Sequence, residues 1–368
     1  MLTPFDDYPV HQTPEPIAHP ATGDRNAYDR YFFNGYDRDG ELFFAAALGV
    51  YPNREVMDAA FSVVRGGVQT SVHASRRAPR DRTQTTAGPV TVEVLEPLRR
   101  HRVRVAANES GIEADLTFTA RTEAIEEPRF TMQRGGRVVM DYTRLTQFGS
   151  WSGKLTVDGE RLDIGGDVLG SRDRSWGIRG VGEREVGAPG PAPQFFWLWA
   201  PLNFDDGAVH FDVQEDGDGR QWHANGERWP LLGDGDGEGD GKGERMASVG
   251  HDITWRTGTR RAEAAELTLR PHDAEPVTVE LEPLLDFQML GIGYLHPEWG
   301  HGAWKGEEAV GVESWRLADL DLLAPQHLHV QQLVRARMGD RTGTGVLEQL
   351  VIGPHRPSGF VDLLDGAS

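Results

Sequence analysis

The 368-residue sequence contains no cysteine. Disulfides, thiolate zinc sites, iron–sulfur clusters and cysteine nucleophiles are therefore excluded. Long apolar runs are missing as well, and none approaches the roughly 18 residues that a membrane-spanning helix needs. Residues 1–30 are polar and Pro-rich, without a basic segment leading into an apolar one. The expectation is a cytoplasmic protein that does not insert into a membrane. Basic charge is scarce: 38 Lys plus Arg stand against 57 Asp plus Glu, a formal charge of −19. Such a balance argues against nucleic acid or an anionic membrane as partner. No G-x-S-x-G elbow, Walker loop, helix-opening G-x-G-x-x-G or H-E-x-x-H is found.

What is present points to β structure. The 45 Gly, 22 Pro and ten Trp suit a turn-rich chain. Period-2 alternation predicts strands over 41–51, 68–74, 90–95, 102–106 and 112–120, then over 195–204, 208–213, 262–269, 277–281 and 311–317. Two stretches, 55–64 and part of 318–338, read equally as helix or strand. The fold class is all-β, sandwich or barrel, with few short helices.

Two pairs of segments repeat. The run from Pro89 to Leu98 is nearly copied from Pro276 to Leu284, 276 − 89 = 187 residues later. Tyr36-Asp-Arg-Asp-Gly40 before Phe43 and Phe44 resembles Asn203-Phe-Asp-Asp-Gly207 before His210 and Phe211, 203 − 36 = 167 residues later. Both members of the second pair carry an acidic-Gly hairpin turn, which suits Gly because it accepts positive φ. An internal duplication follows, with an extension at 1–30 and two β domains at 31–185 and 186–368. The boundary falls in the Gly/Pro-rich stretch 180–193, and the acidic Gly-rich run 233–241 reads as a solvated hairpin tip, without EF-hand spacing for calcium.

Three clusters can carry chemistry. In Gly170-Ser-Arg-Asp-Arg-Ser-Trp-Gly177, Arg172 and Arg174 flank Asp173 beside Trp176. This reads either as a polar corner whose carboxylate is favoured by positive charge or as an Asp173–Arg174 pair that fixes a loop. In the hairpin that follows, alternation places Phe195, Trp197 and Trp199 on one face, and His210 and Asp212 together on the returning strand. Facing inward, Asp212 becomes a carboxyl in an aromatic pocket, raised in pKa by desolvation; facing outward, the pair is ordinary strand surface. The loop Gly293-Tyr-Leu-His-Pro-Glu-Trp-Gly-His-Gly302 offers Tyr294, His296, Glu298, Trp299 and His301 as a proton relay, a metal site or a structural loop.

With Gly153–Gly159, Arg172–Gly177, the Trp197-Leu-Trp199 strand with its Asp205-Asp-Gly207 turn, and Gly293–Gly300, the chain resembles the AttH / carotenoid 1,2-hydratase (hydroxyneurosporene synthase) family, and an actinobacterial branch of it in particular. The resemblance implies two lipocalin-like (calycin) barrels, no organic cofactor, and a hydrophobic isoprenoid-bearing ligand. It implies an aspartate that protonates an alkene beside aromatic residues, here Asp212 and His210 against Trp197 and Trp199. The expected catalytic residues are thus Asp212, His210, Asp173, His296 and Glu298. Phe195, Trp176, Trp197, Trp199, Tyr294, Trp299 and His301 are expected to hold substrate, with no metal. Hydration or dehydration, with isomerisation or cyclisation as variants, is the expected chemistry; the alternative is an intracellular lipid, terpenoid or steroid carrier with a purely apolar cavity.

Overall fold

A computed structural model describes residues 2–181, 193–233 and 242–368. Most of the expected boundary at 180–193 and of the acidic run 233–241 lies outside the described residues. The chain is all-β and antiparallel, with short 3-10 turns as its helical content among the described residues.

Two sheets form. The main path of the first runs Glu308–Arg316, Val68–Arg77, Val56–Arg65, Leu42–Tyr51, Ala27–Tyr36, Leu169–Arg179, Arg137–Val157, Glu113–Ala120, Arg100–Val105, Val90–Glu96 and Thr86–Ala87. The second runs Glu244–Arg245, Gln221–Pro230, Gly207–Glu215, Phe195–Phe204, Arg341–Ile352, His329–Met338, Val277–Gln288, Ala262–Arg270 and Ser248–Trp255. The first strand opens at Ala27, and the strand Glu308–Arg316 crosses from the C-terminal half to the edge of the first sheet. The ambiguous stretch 55–64 is strand, because its neighbours on both sides pair with it over its whole length. The stretch 318–338 ends in the strand His329–Met338 after two 3-10 turns.

Each sheet buries its own apolar face. The first curls around Phe33, Phe44, Phe61, Phe118 and Trp151; the second covers Phe196, Leu198, Phe211, Val213 and Leu267. A third apolar layer, with Phe32, Tyr36, Phe43, Trp197, Trp199 and Phe287, lies between the sheets. Close approach is built in at Gly170, where a Cβ would stand 2.1 Å from the Asn34 carbonyl oxygen.

The repeated aromatic hairpins occupy equivalent places and touch each other. Arg38 donates to Asp205 at 2.7 Å, Asn203 donates to the Tyr36 hydroxyl at 3.0 Å, and Phe32 meets Trp199 edge-on at 6.4 Å. All three pairs share one offset: 205 − 38 = 203 − 36 = 199 − 32 = 167. Contacts between equivalent residues mark a local two-fold axis between the sheets. The other repeat does not hold positionally. Counted outward from its hairpin, Val90–Glu96 corresponds to Ser248–Trp255 and not to Val277–Gln288. Its similarity is that of alternating β sequence in general.

Candidate functional site

A cavity of about 680 Å³ lies between the sheets. Tyr142, Arg144 and Arg179 line it from the first sheet, and Phe195, Trp197, Gln214, His329 and Glu348 from the second. Tyr294, His296 and His301 close it from the loop after Val277–Gln288. The hollow is therefore mixed in polarity, against the expectation of a greasy one. Arg144 also lies over Trp197 and Trp199, 4.9 and 5.6 Å from the ring centroids, so one face of each indole already carries a guanidinium.

The segment expected as a corner, 170–177, is the middle of the strand Leu169–Arg179. Alternation then separates the three charges that sequence placed together. Arg172 turns to the far face and donates to Gln147 at 2.9 Å, while Arg174 pairs with Asp29. Asp173, opposite Phe32 and Thr146, turns to the interlayer side without either arginine; it is not itself in the cavity lining but stands in the field of the lining residues Arg144 and Glu348. Burial pushes its carboxyl up to about 7, opposed by Arg144 and reinforced by Glu127. No hydrogen bond or ion pair engages it among the described residues.

The two-fold axis gives Asp173 a counterpart. Phe32 pairs with Asp173 as Trp199 pairs with Glu348, so the two acids hold equivalent strand positions. Glu348 is well furnished: His329 Nε2 lies 2.9 Å away, and Gln331 and Trp197 donate to it at 2.7 and 3.0 Å. Burial opposes its ionisation, but His329 and these donors hold its pKa below the ordinary glutamate value. One acid of the pair is thus kept neutral and the other charged.

Asp212 sits opposite Trp199, fully buried on the same face as His210. Its expected neutral state is corrected. Burial favours the acid, but His210 Nε2 at 2.8 Å and His223 Nε2 at 3.0 Å overcome that and hold Asp212 ionised. Glu127 joins them, 3.6 Å from His210, and takes hydrogen bonds from Arg144 at 2.7 Å and Thr146 at 2.5 Å.

The third cluster divides. His301 reaches the cavity, with Nδ1 3.2 Å from Arg179 and Nε2 3.1 Å from the Ile292 carbonyl; burial, Arg30 and Arg179 keep it neutral. His296 Nε2 lies 2.7 Å from Glu313, while its Nδ1 accepts the Glu298 and Trp299 amides. Trp299 stacks on His73 at 5.7 Å instead of reaching the Trp197 wall. Glu298 is exposed beside Lys305, and Trp176 is 42% exposed on the strand face away from the cavity. Both are removed from the site, and the trio His296, Glu298 and His301 does not converge.

Two groups of potential ligands do converge to within 4.8 Å: His73, His296 and Glu313, and Glu127, His210 and Asp212. Neither suits a cation. The two amides on His296 Nδ1 leave the ring proton on Nε2, aimed at Glu313. Arg144 already neutralises Glu127.

Residues 2–361 match the family of unknown function DUF8625. The chain belongs to that family. By sequence, no curated protein matches it. Among solved structures it is similar to an AttH-like protein from Nitrosomonas europaea, with TM-score 0.53 and 15% identity over 88% of this chain and 92% of that one. It is also similar to kievitone hydratase from Nectria haematococca, with TM-score 0.52 and 13% identity over 88% of each chain. At these identities the likeness is one of fold.

Sequence reading missed Arg144, Arg179, His329, Glu348 and Tyr142. A period-2 signal existed in Tyr142, Arg144 and Thr146 and in His329 and Gln331, but polar residues on alternate positions ordinarily mark a solvated face.

Proposed function

We propose that the protein protonates an isolated, prenyl-type double bond of a hydrophobic substrate held between the sheets and adds water to it, or runs the reverse dehydration. The observation that carries this reading is the unlike pair at equivalent positions: neutral, unpartnered Asp173 and ionised Glu348. Pairs of acids pushed apart by their surroundings mark acid and base roles.

The chemistry is a proton in and a proton out. Asp173, behind the wall formed by Arg144 and Glu348, gives its proton to the less substituted carbon of an alkene pressed against that wall, and the π electrons form the new C–H bond and leave a tertiary cation. Glu348 is the counter-charge for that cation, with the uncovered indole face of Trp197 contributing up to about 2 kcal/mol. Water then adds through oxygen, and its proton passes to the Glu348–His329 pair, from which Asp173 is later recharged. A carrier would want an apolar cavity, and Arg144, Arg179, His329 and Glu348 speak against one. The kievitone hydratase likeness supports the reading at the level of the fold.

The test is turnover of a prenylated flavonoid in heavy-oxygen water. Label in a tertiary alcohol is expected with the native chain, and its loss with unchanged binding in Asp173→Asn. Labelling that persists in Asp173→Asn, or no label with the native chain, contradicts the proposal.

A further inference from the structure

We infer that the substrate carries a carboxylate, gripped at the Tyr294 end of the cavity by Arg179 with Arg30 behind it. The inference rests on the reading of the cavity as a site for a lipophilic substrate and adds the polar group of that substrate.

Charge bookkeeping in the interlayer leads there. Arg144 is matched by Glu127, His210 by Asp212, and His329 by Glu348. Arg30 and Arg179 remain, and neither forms an ion pair among the described residues. A carboxyl in their field, Asp58, takes its hydrogen bonds elsewhere, from the Tyr51 hydroxyl at 3.2 Å and the Gly302 amide at 2.7 Å. Asp58 and Asp173 both lie within the field of Arg30, yet neither forms an ion pair with Arg30 or Arg179 among the described residues, in a chain whose formal charge is −19. A local cationic excess set against so acidic a whole is a feature of the site and not of the background.

The geometry is suited to a planar anion. Tyr28 lies 4.7 Å and Tyr294 5.4 Å from the Arg179 guanidinium carbon, against the rings, so the side chain is held flat. His301 offers Nδ1 as acceptor for one Arg179 N–H, because its Nε2 donates to the Ile292 carbonyl. Tyr294 takes a further Arg179 hydrogen bond, and the guanidinium edge that lines the cavity can meet two oxygens side by side, the arrangement in which arginine binds carboxylates best. Behind it, Arg30 donates one N–H to Ile292 at 2.9 Å, yet its Nε and Nη1 are buried without partners. An unpaired buried donor is costly, and a ligand anion lowers that cost by its field even where it does not touch Arg30.

The consequence is orientation. A carboxylate anchored at Arg179 sends the hydrocarbon toward Trp197, Glu348 and the Asp173 side, which fixes the distance between acid group and alkene in the substrate. Neutral hydrocarbons lack that anchor.

The test compares farnesoic acid with its methyl ester by quenching of tryptophan fluorescence in the full chain. The acid is expected to bind at least about tenfold more tightly than the ester. Arg179→Gln should bring the acid to the level of the ester, and Arg179→Lys should keep most of the preference. Equal affinity of acid and ester for the native chain overturns the carboxylate assignment alone, whatever the fate of the variants. Binding of neither probe overturns it together with the lipophilic-substrate reading. A preference that survives Arg179→Gln in a folded variant places the anion elsewhere and also overturns it.

Discussion

Asp173 and Glu348 show how strongly neighbours decide what a carboxyl does. Their strand positions are equivalent, but Glu348 receives three polar partners and Asp173 none. The raised value of Asp173 has a thermodynamic signature. Between its ordinary value of 3.8 and about 7 the folded chain binds the proton that the unfolded chain has released. Stability contributed by the neutral group is therefore full at low pH and lost as pH rises through about 7. Asp173→Asn, which cannot ionise, should melt about 3 °C higher than the native chain near pH 8 and at the same temperature near pH 4. Calorimetry at the two pH values checks this. Glu127 is held differently, in an ion pair with Arg144 that is buried with it. Glu127→Gln leaves an uncompensated guanidinium and should cost about 3–5 kcal/mol in urea unfolding.

At the scale of elements, legibility followed the chemistry of the buried face. The strand Phe195–Phe204 was readable to its ends, since its alternation is apolar on both faces and an Asp-Gly turn closes it. Leu169–Arg179 reads as a corner from sequence because Arg172, Asp173 and Arg174 look like solvated residues when side-chain partners are unknown. Those partners come from the strands on either side, Gln147 from Arg137–Val157 and Asp29, 145 residues away, from Ala27–Tyr36. The strand Glu308–Arg316 was legible as a strand but not as an edge of the other half's sheet. Its docking is testable. Val312 pairs with Val72, and Val312→Pro should remove part of that ladder. Hydrogen exchange should then quicken across Val68–Arg77 and stay unchanged at Ser248–Trp255, at the far edge of the second sheet.

For the whole molecule, the clearest repeat in the sequence was that of the two Asp-Gly hairpins, and their mutual contact at one constant offset places the axis between the sheets. The cavity beside that axis was not legible. Alternation tells which residues share a face, as it did for Trp197, Trp199, His210 and Asp212, but not which face meets another sheet. That choice also decided the electrostatics. Asp212 found two histidines and became ionised, and Asp173 lost two arginines and became the neutral acid. The most direct measurement of this difference is a pH titration of aspartate side-chain carboxyls by carbon-13 NMR, native chain against Asp173→Asn. One carboxyl should titrate at about 7 and vanish in the variant, while Asp212 stays ionised through the same range. A native spectrum in which every carboxyl has ionised by about pH 5, close to the unperturbed range, would contradict it.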